Sequence, residues 1–187
     1  MNIADMHCDT LAELRCARQR GETAELREND LQIDLLRMRE GGYLLQNFAA
    51  FVDLHREPDP LAAVLELIDL FRGEAEKNAG ELVAVERFAD IEQAKREGKL
   101  AGMLTLEEGG FFHADLGILR DLYRLGVRMM TFTWNYENDL GFPNGVSADN
   151  RFTGADTARG LTEAGLNVLA EAERLGILLD VSHLSDR

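Results

Sequence analysis

Leu100-Ala101-Gly102-Met103-Leu104-Thr105-Leu106 runs without a break into Glu107-Glu108-Gly109-Gly110. An apolar run of this length with no alternation reads as a strand buried on both faces. Its C-terminal end delivers two carboxylates and two glycines. Outward from it the same unit recurs: main strands are expected at 2–9, 43–52, 100–107, 127–134 and 177–183, with a brief strand at Leu82-Val83-Ala84-Val85. Helical periodicity fills the gaps at Thr10 to Arg20, Leu31 to Gly42, Leu61 to Lys77, Ala89 to Gly98, Leu116 to Leu125, and a last helix N-capped by Thr162 and stopped by Gly176. Asn135 to Arg159, rich in turn residues, reads as one long loop.

Buried strands alternating with amphipathic helices specify a parallel α/β architecture. Chemistry-bearing residues at several strand ends fit a (β/α) barrel, whose active site lies on the C-terminal face of its strands. A doubly wound sheet places ligands at one switch point, commonly with a glycine-rich phosphate loop. Neither G-x-G-x-x-G nor G-x-x-x-x-G-K occurs. The 187 residues, 45% of them hydrophobic, suffice for a single domain. The net charge of −14 disfavours nucleic acid and anionic membrane surfaces as partners. Cys8 and Cys16 provide no disulfide framework, which with the absence of a signal-like start or a long apolar span suggests the cytoplasm.

The opening stretch Ile3-Ala4-Asp5-Met6-His7-Cys8-Asp9-Thr10 holds a His-x-Asp pair. On a strand His7 and Asp9 would share one face about 7 Å apart, with Cys8 opposite as a small packed residue. With Glu108 and His183 at later strand ends, the imidazoles and carboxylates suit zinc or a similar divalent ion. A central carboxylate can bridge two ions about 3.5–4 Å apart. Glu108, next to Gly109-Gly110, is the favoured bridge, and Glu107 is its competitor. His55 and His113 match no ligand position, and Asp5 reads equally as a ligand-orienting or a strand-start residue.

The chain resembles the membrane dipeptidase (renal dipeptidase) family of zinc metallopeptidases, particularly its bacterial members. The resemblance rests on Asp5 to Thr10, Leu106 to Gly110, Leu119 to Thr133, Thr133 to Asn138, Gly160 to Glu163 and Asp180 to Ser185, in order along the chain. It implies a (β/α)8 barrel that hydrolyses dipeptides with tolerance of a C-terminal D-residue. It further implies two zinc ions: His7 and Asp9 on the first, Glu108 bridging and catalytic, and His183 on the second. Trp134 stands where animal members place a substrate-contacting histidine, leaving Trp134, Asn135, Tyr136 and Asn138 as candidate substrate contacts.

The resemblance also implies that the strands carrying the second zinc's other histidine, a substrate-binding arginine and an acid/base aspartate lie beyond Arg187. A full barrel takes roughly 250 residues. The chain is therefore expected to supply about the first five strands, with a second chain or homo-oligomeric partner over the open edge. Two other readings stay open: a catalytically silent metal- or partner-binding module, and another amidohydrolase on the same barrel.

Overall fold

The computed structural model describes residues 2–146 and 151–187; part of the expected loop Asn135 to Arg159, residues 147–150, lies outside the described residues. The chain divides into two compact units. The first takes in the chain up to Phe51 together with Ala62–Thr105, and the second is Val52–Leu61 plus Leu106–Arg187.

In the first unit β1 (Ile3–Asp5) lies parallel to β2 (Tyr43–Phe51), with Asp5 opposite Gln46. Between them in sequence come α1 (Thr10–Gln19) and α2 (Leu35–Gly41). After β2 follow α3 (Pro60–Lys77), β3 (Leu82–Val85), α4 (Phe88–Glu97) and β4 (Leu100–Glu107), whose last two residues belong to the second unit. β3 runs parallel to β4 from Leu82 opposite Leu100 to Val85 opposite Met103. All eight residues of β4 are buried, as its unbroken apolar run requires. Leu11, Leu14, Phe48, Leu67 and Phe71 form the interior, with the Phe48 and Phe71 rings 5.6 Å apart. Truncating either ring to alanine would cost about 3–5 kcal/mol.

The helix ends are chemically specified. The Asp34 carboxylate accepts the Arg37 N–H at 2.7 Å to start α2, and Gly42, at φ 74°, ends it. The helix expected from Leu31 begins only at Leu35. Arg37 reaches back to the Leu31 and Asn29 carbonyls, and those bonds hold residues 29–34 as a loop. Glu74, buried on α3, accepts the Leu26 N–H at 2.7 Å and the Arg18 guanidinium at 2.6 Å, pinning the preceding segment.

In the second unit a short 3-10 turn (Gly109–Phe112) leads to α5 (Leu116–Arg124) and β5 (Val127–Thr131). A small antiparallel hairpin follows, β6 (Gly145–Val146) with β7 (Phe152–Gly154), then α6 (Glu163–Leu175) and β8 (Leu178–Asp180). β5 and β8 are parallel, with Thr131 opposite Asp180. Thr162 accepts the Gly165 N–H at 2.9 Å and Gly176 takes the left-handed cap, both as expected. The hairpin replaces part of the expected loop. At Gly165 a Cβ would lie 1.9 Å from the Leu140 carbonyl oxygen, so only glycine admits the close seating of α6 on that loop.

Three strands, β1, β5 and β8, stop well short of expectation, and two of them stop by the same device. β1 ends at Asp5, whose carboxylate accepts the His7 N–H at 3.2 Å. β8 ends at Asp180, whose carboxylate accepts the Ser182 N–H at 2.9 Å. A side chain that captures a backbone N–H two residues on turns the chain out of the ladder. β5 ends at Thr131, and the next carbonyl, that of Phe132, accepts from the Gly109 N–H and the Asn138 amide.

Candidate metal centre

His7 and Asp9 therefore stand in a bend after β1, not on a strand face. The two are brought together more closely than strand spacing allows: His7 Nε2 lies 3.2 Å from Asp9 Oδ1. Their side chains are 40% and 59% exposed, so solvent or an ion reaches them. Beside them opens a cavity of about 620 Å³ lined by His7, Asp9, Thr10, Glu13, Leu31 and Ile33 among others. Cys8 is buried between them, and burial pushes its thiol up to about 11, with Asp5 and Asp9 adding to the rise against hydrogen bonds with Thr10. A thiol held neutral is a poor metal ligand. Asp5, through its bond to the His7 backbone, sets where the imidazole begins.

His183 lies in the bend after β8 at φ 67°, an uncommon conformation for a residue bearing a Cβ. Its Nδ1 lies 3.2 Å from Asn135 Oδ1 and its Nε2 3.5 Å from Glu107 Oε1. With Nδ1 turned to the Asn135 oxygen, Nε2 is the ring nitrogen that faces Glu107. The His183 and Glu107 side chains are 34% and 9% exposed.

Glu108, the expected bridge, is placed differently from Glu107. Its side chain is wholly enclosed, and its backbone sits at φ 74°. Such a conformation costs a residue other than glycine of order 1–3 kcal/mol. Its Oε1 accepts the Gly110 N–H at 2.7 Å and the Asn138 amide at 2.6 Å, and its Oε2 accepts the Trp134 N–H at 2.9 Å. Burial pushes the Glu108 carboxyl up from the ordinary carboxylate range against those three bonds, and the neighbouring Glu107 charge adds to the rise. Of the two adjacent glutamates it is Glu107 that meets an imidazole.

Trp134, Asn135 and Tyr136 fall in the segment after β5. Trp134 and Tyr136 meet edge to face at 5.5 Å, and the Trp134 ring centre lies 6.5 Å from that of His183. A cavity of about 470 Å³ is lined by Trp134, Asn135, Asn144, Val146, Phe152 and His183. His55 stacks on Tyr136 at 3.6 Å, a contact that its loop position in the sequence did not signal. His113 pairs with Asp139 at 2.8 Å in the open, apart from the donors. Gln46 was also missed. It is buried on β2 opposite Asp5, and its Oε1 has no hydrogen-bond partner among the described residues. Polar residues interrupting a buried strand at Gln46-Asn47 were the only available signal.

In the two pairs an imidazole nitrogen and a carboxylate oxygen face each other. These are the nitrogen and oxygen donors that zinc takes, and a divalent cation satisfies both at once. Among the described residues no helix is long and apolar enough to cross a membrane.

Residues 1–187 match the family described as Membrane dipeptidase (Peptidase family M19). A Schizosaccharomyces pombe protein described as an uncharacterized dipeptidase is 33% identical over 99% of this chain and 47% of its own length. The crystal structure of a metallopeptidase of family M19, dipeptidase AC, matches with a TM-score of 0.88 at 28% identity, over the whole of this chain and 57% of its own. A metallopeptidase from Rhodobacter sphaeroides, crystallised with a phosphinate mimic of L-Ala-D-Ala, matches with a TM-score of 0.85 at 26% identity, over the whole of this chain and 60% of its own. The chain thus spans about half the length of these relatives. Its fold is the mixed α/β, parallel-stranded arrangement of a TIM-type barrel, in the part that these neighbours share with it. By sequence over its full length and by fold, the chain belongs to the membrane dipeptidase family, peptidase family M19.

Proposed function

We propose that the protein is a zinc dipeptidase in which His7 with Asp9 and His183 with Glu107 are the metal-holding pairs of this chain, two zinc ions serving the complete site. The observation that carries this reading is the pairing itself: an imidazole faces a carboxylate at 3.2 Å after β1 and at 3.5 Å beside β4, in a chain of a dipeptidase family. Glu107 takes the metal role that the sequence resemblance assigned to Glu108, because the Glu108 oxygens are engaged by the Gly110, Trp134 and Asn138 donors.

Zinc bound there would polarise a scissile carbonyl and lower the pKa of a metal-bound water. The chain's own residues prepare for that chemistry. Asn135 orients the His183 ring through Nδ1, and Trp134 and Tyr136 wall the adjoining cavity where a dipeptide side chain would rest. The Rhodobacter sphaeroides enzyme was crystallised with a mimic of L-Ala-D-Ala, a dipeptide that ends in a D-residue, which supports acceptance of a C-terminal D-residue here. The free thiols of Cys8 and Cys16 fit a reducing compartment, the cytoplasm on our reading.

The test is zinc content by mass spectrometry of the zinc-replete protein, with dipeptide hydrolysis measured before and after chelation. Glu107→Gln is expected to lower activity about a thousandfold, the equivalent of roughly 4 kcal/mol of lost transition-state stabilisation. Zinc-replete protein with no metal bound, or a Glu107→Gln variant of full activity, sinks the proposal.

A second reading has its own support in Leu166, Leu178 and Val181, large apolar side chains left 54%, 54% and 72% exposed. On that reading the chain works with a second chain or another copy of itself covering these side chains, and without turnover of its own. Native mass spectrometry of the purified protein separates a lone chain from an assembly.

A further inference from the structure

We propose that Glu108 is a positioning residue: its buried carboxylate clamps the segment after β5 to the turn after β4 and so fixes Trp134 beside His183. The inference rests on the reading of Glu107 as the metal-binding carboxylate. Glu108 is the wholly buried acid that this chemistry leaves unused, and it holds an uncommon backbone conformation at φ 74° and ψ 95°.

That conformation sends its side chain back over its own turn. One oxygen accepts from Gly110 two residues on, closing the turn, and from Asn138; the other takes the Trp134 backbone N–H. Asn138 extends the clamp. Its amide also donates to the Phe132 carbonyl at 2.8 Å, while its Oδ1 accepts the Leu140 and Gly141 N–H groups at 2.8 and 3.2 Å. Both ends of the segment from Phe132 to Gly141 are thereby tied to one carboxylate, and Trp134, Asn135 and Tyr136 ride between them.

Space around the turn is equally determined. A Cβ at Gly110 would lie 2.8 Å from Glu108 Oε1 and 2.8 Å from the Asn138 Cβ, and one at Gly109 would lie 2.7 Å from a Leu140 methyl. A buried, fully connected polar network of this kind specifies one arrangement, because each broken bond strands a partner. The clamp leaves His183 and Glu107 themselves untouched, so loosening it should change how substrate is held while zinc-replete protein keeps its metal.

Trp134 is the sole tryptophan of the sequence, which makes its fluorescence a direct reporter. In Glu108→Gln the amide NH2 must oppose either the Trp134 N–H or the Gly110 and Asn138 donors, so the clamp opens at one end. The expected result is a red-shifted Trp134 emission and an acrylamide quenching constant raised about twofold, with zinc content unchanged. In enzyme that turns over dipeptide, KM should rise about tenfold and kcat fall less than about threefold. Asn138→Ala, which leaves the carboxylate intact, should reproduce the fluorescence change, and it carries the test should Glu108→Gln fail to fold. Loss of zinc in Glu108→Gln with retention in Glu107→Gln makes Glu108 the ligand and overturns the proposal. Unchanged quenching in both Glu108→Gln and Asn138→Ala overturns it as well. A wild-type protein that binds no zinc instead refutes the dipeptidase reading, and the quenching comparison then still decides the clamp.

Discussion

The two imidazole–carboxylate pairs are built in opposite ways. His7 and Asp9 are two residues apart, both well exposed, and held by one bend. His183 and Glu107 come from distant parts of the chain, and the carboxylate side is nearly buried. The first pair is assembled within one short stretch of chain, the bend after β1, which β2 steadies through the Ala49 N–H on the Cys8 carbonyl at 3.0 Å. The second needs β4, β8 and the segment that carries Asn135. A local pair tolerates loosening elsewhere, whereas a pair drawn from separate strands depends on the folded state around it.

Matched substitutions give the largest test of that contrast. His7→Asn and His183→Asn are each expected to lose about one zinc ion per chain, since removing a ligand from a site with few ligands empties it. Asparagine is used because it tolerates the positive φ of His183. Under mild urea the His183 site should release zinc before the His7 site; simultaneous release removes the distinction.

A middle-sized effect probes the scaffold beside the first pair. Glu74→Ala strips the buried acceptor of the Leu26 N–H and of Arg18, and should lower unfolding free energy by about 3 kcal/mol in urea titration. Zinc at the His7 pair should persist in what remains folded. Loss of that zinc would mean the pair is less self-contained than its local construction implies.

The smallest effect is acid sensitivity at Asp34. Burial raises its pKa, but the Arg37 guanidinium and the Arg37 and Asn29 N–H groups outweigh it and hold the carboxyl below its ordinary value of 3.8. A depressed carboxyl contributes stability that is present above its unfolded value and lost as pH falls through the folded one. Asp34→Ala should therefore cost about 1 kcal/mol near neutrality, and the gap from wild type should close on acidification below the ordinary carboxylate range. A gap constant with pH would remove the ionised cap from the account.

The same division explains what could be read from the sequence. The apolar runs and the Thr162 and Gly176 caps are local patterns, and the structure places each as its pattern implied, whereas the His-x-Asp pair meets in a bend and not along a strand face. The strand ends were not legible, because Asp5 and Asp180 terminate β1 and β8 by accepting backbone N–H bonds, and a strand-end aspartate accepts from water equally well. Glu107 and Glu108 could not be told apart, since the distinction lies in the sign of one φ angle and in a partner, Asn138, on another segment. The β6–β7 hairpin was missed because strands of two and three residues fall below any periodicity.

The contact at Gly165 has a consequence for how the second unit can change. With 1.9 Å between a hypothetical methyl and the Leu140 carbonyl, α6 is seated without slack. Leu140 is held in turn by Asn138, and Asn138 by Glu108. Thirteen residues of helix are thus referenced through a short chain of contacts to one buried acid. Positions 108, 138 and 165 form a lineage constraint: none is free to drift unless the others move with it, and substitutions that survive there should arrive together.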